Sequence, residues 1–353
     1  MARRVVGGPG AILAAVIAAW ALAPGGCFYP AYEVITDGAV SAAASGGASG
    51  SGGSGAGGGG GEGQGNCSPV GTETIVDCDQ ANPSAIAANP NVVVWTNEDS
   101  GQVVRKSKLD QEPKVIASAE DSPCGIALGN NFVYWRTRSG LLRRKLINDL
   151  NADPEMVKSN LGESCALSSD NLAVYYFDMI GDVMSPMLTM HTFSGSTNTV
   201  AAVKTPKLVA SSFGQVYWTT PTALFTKNAM DNGTPPKSFP VMDPCGLTAA
   251  GPYAAATSIT TQEITFLEVG APKKIPTLAP PCGITTDATS LFWLVPSSGE
   301  VHATDIQDPK SIVVTKAKGS TPVCAIAVDD MNIYWTSCEK GSPTGRVMSA
   351  PKN

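Results

Sequence analysis

The chain predicts an all-β fold: a seven-bladed β-propeller of four-stranded antiparallel blades, preceded by a signal segment and a disordered linker. Three observations carry that expectation. A tryptophan-centred strand returns about every 40 residues, in Asn91-Val-Val-Val-Trp95, Asn131-Phe-Val-Tyr-Trp135, Gln215-Val-Tyr-Trp218, Ser290-Leu-Phe-Trp293 and Asn332-Ile-Tyr-Trp335. A second landmark sits 11 residues before that anchor, at positions 84, 124, 165, 207, 245, 282 and 324, and five of these are cysteines. Between landmarks the chain reads as short β-branched and aromatic runs cut by Asn, Asp, Gly and Pro, not as the long 3.6-period runs of a helical solenoid.

The N-terminal elements are different in kind. Arg3 and Arg4 precede an apolar run from Ala11 to Ala23 that ends at Pro24-Gly-Gly-Cys27. A basic start, a short apolar stretch and small residues make residues 1–27 an export signal. The run is shorter than the roughly 20 residues that cross hydrocarbon. Its end resembles a bacterial lipobox, with Cys27 as the lipid-attachment residue, although Pro24 stands where that pattern prefers Leu. Residues 28–66 follow as a flexible Gly/Ser/Ala-rich linker. Its stretch from 38 to 65 is half glycine with Glu62 as its one charge, too poor in apolar side chains to order itself, and reaches about 30 Å as a random coil.

The propeller is expected over 67–353. Residues 72–77 lie where a preceding blade's outermost strand belongs, so they are expected to complete blade seven and close the ring, protecting its edges. Blade one follows with strands near Ala85–Ala87, Asn91–Thr96, Gln102–Lys106 and Pro113–Ala117. Blade two turns at Asn130-Asn131 and blade three at Asp170-Asn171; both are read as hydrogen-bonding turns, since no loop has oxygen ligands at calcium-site spacing. Blade three carries Tyr176 as its anchor and a Met-rich stretch from Phe177 to Met190. Blade five lacks the aromatic, with Ala256 at the anchor position. Blade seven has strands at Ala325–Val328, Asn332–Thr336 and Arg346–Ser349 around the turn Asp329-Asp330.

Cysteine usage fits an oxidising compartment. With Cys27 set aside, Cys67, Cys78, Cys124, Cys165, Cys245, Cys282, Cys324 and Cys338 can all pair, and eight cysteines allow 105 connectivities. Equivalent register positions place Cys124 beside Cys165 and Cys245 beside Cys282 as inter-blade bonds. The remaining four gather near the proposed closure, where they could lock the ring. No close Cys-x-x-Cys pair points to zinc.

No nucleophile, base and orienting group emerge together. His191 and His302 read as exposed loop or strand residues, and there is no phosphate-binding loop. No cofactor is expected. The visible charge feature is basic: Arg105, Lys106 and Lys108 in blade one, then Arg136, Arg138, Arg143, Arg144 and Lys145 in blade two. Together they form a candidate binding patch on a chain of net charge −6. Export and negative net charge exclude nucleic acid as a partner.

Ile326-Ala-Val-Asp329, Ile333-Tyr-Trp-Thr336 and Arg346-Val-Met348, with weaker echoes in blades one, two and six, resemble the YWTD repeats of low-density-lipoprotein-receptor class B propellers. The layout also resembles that of tryptophan-rich propeller lipoproteins of myxobacteria. The resemblance implies an extracytoplasmic protein that binds a ligand. The expectation is therefore a monomeric, non-enzymatic binding or scaffold protein of the bacterial cell envelope, an outer-membrane lipoprotein or, if the signal is cleaved without lipidation, a secreted or periplasmic protein, presenting loops to a protein or glycan. A propeller hydrolase or lyase acting on an extracellular polymer is the alternative.

Overall fold

The computed structural model describes residues 68–69, 71–179, 186–268, 272–287, 289–308, 314–319, 322–338, 341 and 344–352. The expected signal segment and linker, with Cys27 and Cys67, lie outside the described residues, as does the middle of the Met-rich stretch.

Seven four-stranded antiparallel sheets make up the fold. After strand β1 (Thr74–Gln80), blade one comprises β2 (Pro83–Ala88), β3 (Val92–Asn97), β4 (Gln102–Ser107) and β5 (Lys114–Ala117). Blade two is β6 (Pro123–Gly129), β7 (Phe132–Thr137), β8 (Leu142–Leu146) and β9 (Glu155–Lys158), and blade three β10 (Leu167–Ser169), β11 (Ala173–Met179), β12 (Pro186–Thr192) and β13 (Thr197–Ala202). Blade four is β14 (Val209–Ser212), β15 (Gln215–Thr219), β16 (Ala223–Asn228) and β17 (Lys237–Pro240); blade five is β18 (Pro244–Ala250), β19 (Tyr253–Ser258), β20 (Glu263–Leu267) and β21 (Pro272–Pro276). Blade six is β22 (Cys282–Thr286), β23 (Ser290–Val295), β24 (Glu300–Asp305) and β25 (Val314–Lys318); blade seven is β26 (Val323–Val328), β27 (Asn332–Ser337) and β28 (Gly345–Pro351). Its fourth strand is β1, paired antiparallel with β28 through Thr74↔Ser349, Ile75↔Met348 and Asp77↔Val347. The closing strand thus starts two residues later than the 72–77 expected from sequence and runs three further. The two ends of the ring are held in one sheet.

Side chains alternate along each strand, so successive residues face opposite neighbouring blades. In blade one, Val92, Val94 and Val103 pack with Ile126, Val133 and Trp135 of blade two, while Ile86, Val93, Trp95 and Val104 pack with Ala327, Tyr334 and Val347 of blade seven. The anchor is therefore a wedge driven toward the preceding blade. Trp218 packs with blade three, Trp293 with blade five and Trp335 with blade six, each buried. Tyr176 does the same against Tyr134 and Leu142 of blade two. Blade five has no wedge: Ala256 sits beside Tyr217 and Leu224 of blade four, fully buried.

The turns between the first two strands of a blade behave as their composition dictates. Asn89, Asp170, Asp287 and Asp329 each accept the backbone N–H groups two and three residues onward through Oδ1, at 2.7–3.2 Å. Asn130 and Asn131 adopt φ of 47° and 66°, a left-handed pair that Asn tolerates. Some turn aspartates also tie blades together. Lys108, just past the third strand of blade one, reaches Asp329 of blade seven at 2.9 Å, and Lys352 of blade seven reaches Asp287 of blade six at 2.7 Å. Burial would raise the Asp329 carboxyl pKa, but the Lys108 ammonium, two backbone N–H groups and the Tyr334 hydroxyl hold it below the usual range.

Disulfides join Cys124 to Cys165 and Cys245 to Cys282, tying blades two to three and five to six at the starts of their inner strands. Cys324 is bonded to Cys338, which follows the second strand of the same blade. That bond staples blade seven internally and does not span the closure, because the start of β26 and the end of β27 are antiparallel neighbours. Cys78 is also disulfide-bonded.

Candidate functional site: a polar cleft between blades one and two

The eight basic residues do not gather on one face. Neighbours in a strand point to opposite seams, so a basic run is divided between two interfaces. Toward blade seven go Lys106, whose Nζ donates to Val76 O at 3.2 Å, and Lys108. Arg105 faces blade two and reaches Asn148. Arg138 returns to Glu98 of blade one with Nε–Oε1 of 2.5 Å. Arg136, fully buried, crosses to blade three and donates to the carbonyls of Phe177, Leu161 and Gly162 at 3.1–3.2 Å. Arg144 stays in its own blade, paired with Glu155 and lying 4.5 Å over the Phe132 ring. These cations are largely engaged as staples of the seams.

Arg143 and Lys145 are placed differently, because they line a cleft of about 360 Å³ with Glu120. β5 and the linker after it form one wall, β8 the floor, and the loop Leu150–Pro154 the other wall. The volume falls in the range of small-ligand sites. Arg143 donates to Glu120 Oε1 at 2.7 Å and to Pro154 O at 3.1 Å. Lys145, only 5% exposed, donates to Ile116 O at 2.8 Å and Leu150 O at 3.0 Å. Two of its three ammonium protons are thereby used. Glu120, also 5% exposed, accepts no hydrogen bond from a described residue through Oε2.

The equivalent positions vary across the repeat. The residue paired with the anchor on the third strand is Val104 in blade one, Arg143 in blade two, Thr189 in blade three, Phe225 in blade four, Thr265 in blade five, His302 in blade six and Met348 in blade seven. The linker residue whose N–H donates to the turn before the third strand is Glu120 after blade one, Leu161 after blade two, Val241 after blade four, Thr277 after blade five and Gly319 after blade six, and of these Glu120 alone is charged. Lys145, by contrast, is a repeated device. Lys106, Lys145 and Lys227 occupy equivalent positions, each donating to a carbonyl on the outermost strand of the preceding blade or just before it in sequence (Val76, Ile116, Val200). At the seam between blades one and two the linker and anchor-paired positions hold an acid and a base, Glu120 and Arg143, that face each other at 2.7 Å. Gly101 holds Glu120 in place: its φ of 64° and its contact with Glu120 O leave no room for a side chain.

A second cleft, of about 470 Å³, occupies the seam between blades three and four. There Phe225 takes the position of Arg143, stacked on Trp218 at 5.5 Å, and Val203, Pro221 and Pro236 join the lining.

Neither histidine lies in these clefts. His302 is buried rather than exposed, edge-on to Trp293 and 3.1 Å from Glu300 Oε2, because it occupies the anchor-paired position of blade six. His191 is half-buried on β12 and bonds Thr197 at 3.0 Å; burial and the Arg144 charge depress its pKa. Among the described residues no group of three or more His, Cys, Asp or Glu side chains is arranged to hold a metal ion.

No family model matches the chain, and no curated protein matches it. Solved structures do. Virginiamycin B lyase from Staphylococcus aureus aligns with a TM-score of 0.60 at 12% identity, over 79% of this chain and 97% of that one. The WD40 β-propeller domain of Doa1 gives 0.59 at 12% identity over 79% and 96%, and the computationally designed Ika8 protein 0.54 at 11% over 78% and 98%. These likenesses show the fold. The chain is a seven-bladed β-propeller of four-stranded antiparallel blades.

Proposed function

We propose that this ring is an extracytoplasmic binding domain, held to an envelope membrane by its N-terminal segment, that contacts a protein or glycan partner at the seam between blades one and two. One observation carries the reading. Glu120 puts a buried carboxylate where blades two and four have the buried Leu161 and Val241, and among the described residues only one of its oxygens accepts a hydrogen bond. Paired with Arg143 at 2.7 Å, it gives the cleft a polar lining that a partner's hydrogen-bonding groups can meet. The test is to present the purified chain with extracellular polysaccharides and envelope proteins, scoring capture and product formation separately. Stable capture that is lost in Glu120→Ala supports the reading; turnover without capture overturns it.

A second reading is a hydrolase or lyase acting on an extracellular polymer. The likeness to virginiamycin B lyase supports it more directly than any comparison supports a binding role, though at 12% identity it speaks for a shared scaffold. The paired His302 and Glu300 are the groups to test on that reading. Polymer cleavage abolished by His302→Ala, in a variant of unchanged stability, would establish it.

A further inference from the structure

We infer that the cleft between blades one and two binds a saccharide through a pair of neighbouring hydroxyl groups. The inference rests on the binding role proposed for this seam and names its ligand. Glu120 Oε2 is an acceptor with no donor from the described protein, and Lys145 has one ammonium proton beyond the two given to Ile116 O and Leu150 O. Both side chains are more than nine-tenths buried and line the cleft, so a ligand there can engage the remaining acceptor and donor. A hydroxyl is donor and acceptor at once: one hydroxyl donates to the carboxylate while its neighbour accepts from the ammonium. Charge balance selects the same class. Glu120 is already neutralised by Arg143 at 2.7 Å, and with Lys145 and Asp153 the lining carries two charges of each sign. A neutral polyol suits such a lining better than an anion or a cation. The walls supply the other half of the recognition, since the partly exposed Val115 and Leu150 side chains offer aliphatic surface to the C–H face of a sugar ring.

Isothermal titration of the full chain with maltotriose, mannotriose and galactotriose, and with glycine as a zwitterionic control, tests this. At least one of the three sugars should bind, and Glu120→Gln should weaken it at least tenfold through loss of a charge-assisted hydrogen bond. Ala152→Trp, which fills the cleft from its rim without touching Glu120, should abolish binding. Phe225→Ala in the other seam should leave it unchanged. Binding that survives both Glu120→Gln and Ala152→Trp overturns the assignment of the site. Glycine binding with the same sensitivity to Glu120→Gln overturns the saccharide class in favour of a zwitterion. If no sugar binds while envelope protein is still captured in a Glu120-dependent way, the saccharide inference falls and the binding role stands.

Discussion

Replacing Cys124 and Cys165 together by alanine should destabilise the ring by about 4 kcal/mol. The bond links residues 41 apart in sequence. The chain-entropy model assigns the denatured loop it closes an entropy loss of roughly 13 cal/mol/K, which is about 4 kcal/mol at 25 °C. The bond Cys324–Cys338 closes only 14 residues, and the same model gives about 3 kcal/mol. Cys124, Cys165 and Cys324 are all buried, so the cost of the smaller side chain largely cancels between the two double variants. Urea denaturation followed by tryptophan fluorescence, run on the oxidised parent and both variants, measures the difference. The expected order is parent, then C324A/C338A, then C124A/C165A, with the last two separated by about 1 kcal/mol. On heating, the loss at Cys124 and Cys165 corresponds to a midpoint lower by roughly 7 °C for a ring of this size. Equal midpoints for the parent and C124A/C165A would refute the reasoning, because the inter-blade bond would then add nothing that the packed seam lacks.

The wedges give a paired prediction: Trp335→Ala should cost about 3–5 kcal/mol, whereas Ala256→Trp should also destabilise, by about 1–3 kcal/mol, because Tyr217 and Leu224 already fill that seam. Calorimetry on both variants checks it, and a stabilised Ala256→Trp would sink the wedge account. Closure should be pH-sensitive through Asp77 on β1, where burial raises the carboxyl pKa to about 6 from an ordinary 3.8. Between those values the folded ring holds a proton that the unfolded chain has released, so stability should fall as pH rises through that window and level off above it. Denaturation midpoints across this range should show the slope in the parent and lose it in Asp77→Asn. Asp329→Ala removes the acceptor of Lys108, of Tyr334 and of two backbone N–H groups, and should cost roughly 3 kcal/mol by denaturation.

Architecture was legible in the sequence because it repeats. Each blade must bury the same wedge, so Trp95, Trp135, Trp218, Trp293 and Trp335 mark the period, and the equivalent Cys124 and Cys165 fall together at adjacent inner strands. The turn aspartates Asp170 and Asp329 were readable for the same reason. The candidate site was not, because it departs from the repeat. Arg143, Arg144 and Lys145 look like one cluster along the chain, but a strand sends Arg144 to one seam and its neighbours to the other. Arg136 and Arg138 likewise vanish into contacts with blades three and one. Glu120 lies in a linker, and no spacing in the sequence ties it to Arg143, 23 residues on, which the fold brings within 2.7 Å of it. Cys324 shows the converse limit: register placed it near the ring closure, while the antiparallel return of β27 delivers Cys338 to it first.

The claim that the seam between blades one and two is the contact surface can be met head-on by methyl NMR. The labelled chain is titrated with a digest of extracellular polysaccharides, with Val115, Ile116 and Leu150 as reporters because they line the cleft. Shifts concentrated on those three methyl groups, and absent in Glu120→Gln, are the predicted result. Shifts confined to the inner-strand ends around Cys124–Cys165 and Cys245–Cys282, with the cleft methyls unmoved, would contradict it.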